Sequence, residues 1–372
     1  MYTQSIRLGT ILGIPFGVNY SWLVIFFLVS LSLTTQFTQL HPDWSFEEHL
    51  AFGVATSLLF FLSVVLHELG HSIMALKYRI PVKAITLFVF GGVAHIAKEP
   101  EKPSHEFNIA IAGPIVSALL AGLFSLLALL MHNRAEGLVS LGEWLGRINL
   151  TLALFNLIPG FPLDGGRILR AVVWKYTGSY ERATVVAAGA GQVFAYGFIL
   201  FGLWEALTSN VVSGLWIGFI GWFLLSAAQM STVQLRFRTA LRGITAGDVM
   251  TQECLRVPGS MSVAEYVERY LLKTGTRCSM VTWGDQFRGL VTLHEVKGVP
   301  REEWDTTSLQ AIMIPEQSLS EVDPETPIDV VLQRMNEENV NQMPVVKDGK
   351  LLGIIGRDRL LALLQAHIEL KA

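Results

Sequence analysis

Apolar residues gather in long unbroken runs over the first two thirds of the chain and in short alternating runs over the rest, which predicts two kinds of structure. Six runs are long enough to cross a hydrocarbon core, at roughly residues 18–36, 49–76, 107–131, 141–159, 183–206 and 211–231. Ahead of them, the stretch MYTQSIRLGTILGIPFGV sets Gly and Pro between short β-like runs and predicts a strand or hairpin at the membrane surface. The apolar run from Ile14 to Thr35 is too long for the core of a signal peptide and lacks a small-residue cleavage site, so it is expected to be retained. A second β-like stretch, Ala84 to Ile96, alternates around Gly91 and Gly92.

Near Gly243 the pattern becomes charged and soluble. Residues 244–298 and 308–366 read as two copies of one α/β unit. Each has a polar opening, an amphipathic helix (Val263 to Leu272; Ile328 to Glu337), and two short strands around a turn. The expected organisation is a membrane domain over 1–235, a linker over 236–243, and repeats over 244–300 and 301–372. The fold class is a membrane all-α six-helix bundle with a small membrane-associated β element, plus a cytoplasmic α/β repeat pair.

Composition agrees with this division. Of 372 residues, 51% are apolar, too many for a soluble enzyme. A formal charge of -3 without a basic block argues against nucleic-acid binding. Cys254 and Cys278 form no disulfide framework or zinc ribbon and are expected in the core. Lys and Arg crowd the segments after the second, fourth and sixth runs, while 37–48 and 207–210 carry none. The positive-inside rule then puts both termini in the cytoplasm, with Arg134 and Arg147 as minor exceptions.

The second run ends in His67-Glu68-Leu69-Gly70-His71. Ionisable side chains at membrane depth are costly, and three in five positions call for a function. Residues four apart share a helix face, so both imidazoles can reach one ion while Glu68 reaches a water on it. This H-E-x-x-H arrangement is the pattern of zinc metalloproteases. Catalytic zinc takes three protein ligands. Asp164 is the best candidate for the third, because Pro159, Gly160, Pro162 and Gly165 break the fourth run just before the same membrane face; the alternative is a carboxylate paired with Arg167. Counting from Leu50, His67 lies about 26 Å along its helix, at the end where Asp164 also emerges. Asn156 could donate to a substrate carbonyl or oxyanion, or form an interhelical hydrogen bond.

HELGH together with LIPGFPLDGG resembles the site-2 protease family of intramembrane zinc metalloproteases over most of residues 1–235. The resemblance implies one zinc ion held by His67, His71 and Asp164, with Glu68 as catalytic base and Asn156 on the substrate side. It also implies that the strand around Gly91 and Gly92 helps to hold a transmembrane protein substrate in the bilayer. An unwound helix needs an edge to pair with, although the two glycines would equally serve a hairpin turn. Ala112-Gly113-Pro114 reads as helix packing, and His95 and His105 as interfacial polar residues. No insertion large enough for a PDZ domain separates the runs.

The tail repeats resemble a cystathionine-β-synthase-like (CBS) domain pair, which implies a regulatory module. Such pairs bind adenosine nucleotides through Gly-x-x-Thr/Ser-x-x-Asp. The first repeat offers Gly289, Thr292 and Glu295, whereas the second, with Gly353, Gly356 and Arg359, lacks both polar groups. One adenosine site, or a purely structural or homodimerising module, follows. The competing functional class is a CBS-regulated transporter or channel, which the clustered HELGH and the absence of an internal membrane repeat disfavour. The setting expected is a prokaryotic cell membrane.

Overall fold

The computed structural model describes residues 5–89, 91–132, 134–251, 255–274, 278–284, 286–348, 350–360 and 362–363. Two compact units divide it, Met1–Val233 and Gln234–Ala372.

The first unit opens with a hairpin, β1 (Ser5–Ile11) and β2 (Ile14–Asn19), turning at Leu12 and Gly13 with φ of 52° and 79°. Asn19 then caps α1 (Tyr20–Leu40), its side chain accepting the Ser21 amide at 3.0 Å. A reciprocal box starts α2 (Phe46–Lys77): the Ser45 amide donates to Glu48 at 2.8 Å and the Glu48 amide to Ser45 Oγ at 3.3 Å. Such a cap contributes about 1 kcal/mol and sets where the helix begins. After α2 come β3 (Val82–Phe88) and β4 (Gly91–Ile96). The two predicted β segments prove to be one sheet, ordered β1-β2-β3-β4, in which β2 and β3 run parallel and β4 is an edge.

Helices α3 (Pro103–Met131), α4 (Glu136–Asn156), α5 (Asp164–Thr177), α6 (Tyr180–Thr208) and α7 (Val211–Leu241) follow. Among the described residues, α1, α2, α3, α6 and α7 are long and apolar enough to cross a membrane. Helix α4, which covers most of the expected fourth span at 141–159, is not in that set, Glu143, Arg147 and Asn149 lying among its apolar residues. Nor did the sequence pattern anticipate α5, which begins at Asp164 itself. Helix α2 packs against α1, α3, α4, β3 and β4, so its motif faces protein.

The second unit carries the repeats. Strands β5 (Arg256–Pro258), β6 (Cys278–Trp283), β7 (Gln286–Thr292) and β8 (Ile314–Pro315) form one sheet, and β9 (Gln342–Lys347) and β10 (Lys350–Gly356) another. Each repeat lends its opening segment to the other: β8 of the second pairs with β7 of the first, and Thr251 of the first bridges to Ile354 in β10. Three apolar clusters result among the described residues, one around Tyr266, Val281 and Val291, a second around Val331, Met335 and Val345, and a small one of Met280, Leu290 and Ile354 that draws on both repeats. Phe237 and Leu241, in the stretch expected as linker, are helical and pack into the second of these cores. Cys278 is half-buried on β6, and Cys254 lies outside the described residues.

Candidate metal centre

Helix α2 carries His67 and His71 one turn apart, 3% and 4% exposed. Asp164 reaches them from another element. The chain turns sharply after α4, and Gly165 and Gly166 sit so close to the backbone of 157–161 that a Cβ on either would collide with it. That turn delivers Asp164 as the first residue of α5, where a helix N-terminus favours a carboxylate. Asp164 Oδ2 stands 3.2 Å from His67 Nε2 and 3.2 Å from His71 Nε2, and the two Nε2 atoms are 3.2 Å apart.

This triangle fits zinc. Ligand atoms about 2.0–2.1 Å from one ion at tetrahedral angles stand about 3.3 Å from one another, and an imidazole, imidazole and carboxylate set suits a catalytic site. The remaining ring nitrogens are tied: His71 Nδ1 lies 2.7 Å from the Ile109 carbonyl, and His67 Nδ1 lies 2.8 Å from Ser117 Oγ. A carbonyl only accepts, so His71 donates from Nδ1, which leaves Nε2, on the side of Asp164, as its atom for a metal. Gly113 of α3 faces both imidazoles, and a Cβ there would collide with both Nε2 atoms. The Ala112-Gly113-Pro114 element, expected as packing, thus also forms a wall of the centre.

Glu68 is set apart from the triangle. Its Oε2 accepts the Ala94 amide of β4 at 3.0 Å. The fully buried Glu106 of α3 accepts from Nε and Nη2 of Arg170 on α5. Arg170 also donates to the Tyr180 hydroxyl at 2.7 Å and lies over the rings of Phe161 and Tyr180.

A relative from Synechocystis, provisionally named a zinc metalloprotease, is 35% identical over 365 residues, covering 97% of this chain and 96% of its own. A zinc metalloprotease of Methanocaldococcus jannaschii is 32% identical, with 99% of each chain covered. The profile of peptidase family M50 matches residues 55–134 and 132–200. The chain belongs to peptidase family M50. The solved site-2 protease from Methanocaldococcus jannaschii superposes with a TM-score of 0.43 at 34% identity, over 61% of this chain and 95% of that one. The CBS domain profile matches residues 313–366. This M50 chain is therefore a zinc metalloprotease, an integral membrane protein with a CBS unit.

The other predicted residues of this M50 peptidase are less gathered. Asn156 ends α4, half-buried, and no hydrogen bond joins its side chain to His67, Glu68 or Asp164. Gly92 packs against Glu68, while Gly91, at φ 129°, has open space around it. His105 stacks on Tyr78 with centroids 4.0 Å apart, and His95 lies on β4. Thr292 and Glu295 bond to each other as the capping box of the helix Leu293–Lys297. Thr292 also lines a cavity of about 330 Å³ with His294, Lys297, Asn341 and Arg357, which Glu295 does not line. Sequence reasoning missed Ser117, Ile109, Ala94 and the Glu106 to Arg170 pair. Of these only Glu106, an acid opening an apolar run, leaves a signal in the sequence.

Proposed function

We propose that this M50 enzyme is an intramembrane endopeptidase that hydrolyses peptide bonds in or near transmembrane segments of other membrane proteins. The observation that carries the reading is the three-atom triangle, built on a helix apolar enough to cross a membrane. In it, His67, His71 and Asp164 hold zinc. Zinc, when bound, supplies the Lewis acidity that polarises the scissile carbonyl and makes water acidic enough to attack at neutral pH. Glu68 takes the proton of the attacking water and passes it to the leaving amine. Asn156 donates to the substrate carbonyl or oxyanion from the end of α4. The outer edge of β4, which pairs with no other strand among the described residues, receives the substrate at Gly91 and Gly92 as an added strand, which keeps the cleaved segment extended.

Both termini and the CBS unit face the cytoplasm of a prokaryotic cell, with α4 as the fourth of six spans, as the basic residues at 77–102, 167–182 and 236–242, which close or follow α2, α4 and α7, favour. The CBS repeats, 244–300 and 301–372, regulate the protease, either through an adenosine nucleotide in the cavity beside Thr292 and Glu295 or by pairing two chains.

The test is cleavage of a transmembrane substrate by purified protein in detergent. Glu68→Gln is expected to keep its zinc and lose about 10²–10⁴-fold in rate. Asp164→Ala is expected to lose zinc, measured as metal per chain. Persistent cleavage by zinc-loaded Glu68→Gln removes the assigned base, and full zinc occupancy in Asp164→Ala removes the third ligand.

A further inference from the structure

The side chain assigned as base is already engaged. Glu68 Oε2 accepts the Ala94 amide at 3.0 Å, and that amide belongs to the strand proposed to receive substrate. Ala94 is paired with Ile85 of β3 in register, yet its N–H points away from β3 to α2, so it lies in the outer row of β4. Amides of an edge strand alternate between the ladder and the open side, which puts those of Gly92 and Ile96 in the same row. Those groups are what an added strand would pair with. The close approach depends on Gly92, because a Cβ there would stand 2.6 Å from Glu68 Cγ and 3.3 Å from Val64 Cγ1. The Glu68 carboxylate occupies the place that a carbonyl of a neighbouring strand would take.

We propose that the Ala94 amide is a substrate-operated latch on Glu68. In the resting enzyme it holds one carboxylate oxygen. An extended segment pairing with the outer edge of β4 takes the amide with a backbone carbonyl of its own, and Glu68 is released to accept a proton. The inference rests on the reading of Glu68 as base and of β4 as the receiving edge. It adds selectivity to them: a helical segment has its carbonyls committed to its own ladder and cannot release the base, so only an unwound segment is cut.

Hydrogen exchange at single amides of the full-length, zinc-loaded protein in detergent tests the latch. Three states are compared: wild type, Glu68→Ala, and Glu68→Ala with an excess of a transmembrane substrate that this variant leaves uncut. Exchange at Ala94 is expected to quicken at least tenfold in Glu68→Ala and to slow again when substrate is added, together with exchange at Gly92. Equal Ala94 rates in wild type and Glu68→Ala overturn the latch. Protection gained at Gly92 but not at Ala94 keeps β4 as the docking edge and overturns the latch alone. Protection at neither amide, with substrate bound, overturns the docking reading and the latch with it. Kinetics give a second measurement, since proline is tolerated on an edge strand where its missing N–H faces outward. Ala94→Pro is expected to cleave a short fluorogenic peptide at least threefold faster than wild type while KM for the transmembrane substrate rises. Turnover of the short peptide that falls or stays level in zinc-loaded Ala94→Pro overturns the latch.

Discussion

At the scale of single residues, the centre is shaped as much by an absent side chain as by those present. Gly113 sits where a methyl group would press on both Nε2 atoms. Gly113→Ala is therefore expected to displace the imidazoles and empty the site, reducing zinc to well under one per chain while the helical content of the protein persists. Metal analysis beside circular dichroism checks this, and a fully loaded Gly113→Ala would show that α3 yields instead. That His67, His71 and Asp164 would meet was legible in the sequence, because the four-residue spacing of His67 and His71 is a property of any helix and Asp164 follows a visibly broken run. Ser117 and Ile109 were not legible. Their bonds to the ring nitrogens depend on how α3 is rotated against α2, which no local pattern records.

Elements show the same division between local and distant causes. The long apolar runs announced α1, α2, α3, α6 and α7, since each is the length of a bilayer. Helix α5 stayed hidden, being amphipathic, only 14 residues long, and opened by two glycines that read as a loop. The union of the two β segments was hidden as well, because the parallel pairing of Phe16 with Ile85 joins residues far apart in sequence. The buried pair of Arg170 and Glu106 ties α5 to α3. Removing one partner of such a pair strands the other charge, so Glu106→Ala is expected to cost about 3–5 kcal/mol. Because α5 begins with Asp164, zinc occupancy should fall with it, while Glu106→Ala combined with Arg170→Met regains much of the stability. Thermal unfolding in detergent with metal analysis decides; a single variant as stable as wild type would remove the clamp. In the CBS unit, Tyr266 is fully buried and donates to Ser279 Oγ at 2.9 Å. Burial raises its pKa, so the unfolded chain gives up this proton first. The contribution is fully present below about pH 10 and is lost as pH climbs through the raised folded value. Tyr266→Phe is expected to cost about 1 kcal/mol at neutral pH and to flatten the loss above pH 10, as denaturant titrations of the CBS unit at several pH values would reveal.

For the whole molecule, the decisive property is that each unit has a core of its own. The membrane unit buries the triangle of His67, His71 and Asp164 among its helices, and the second unit closes its apolar clusters with segments exchanged between repeats. A ligand that binds only the folded form stabilises the unit that holds it, by about 2.7 kcal/mol when its free concentration is a hundred times its dissociation constant. For a unit of 150–250 residues such a gain moves the midpoint by roughly 5–10 °C. Heating the zinc-loaded protein in detergent is therefore expected to give two transitions. A chelator should lower only the one belonging to Met1–Val233, which carries His67, His71 and Asp164. Assignment follows from Asp164→Ala, whose membrane transition should already lie at the chelated position and move no further. AMP supplies the converse test: if the cavity beside Thr292 holds it, the other transition is expected to rise while the first stays in place. Should chelator shift both transitions by the same amount, the two units unfold as one cooperative body, and metal at the protease centre would be felt directly in the CBS repeats.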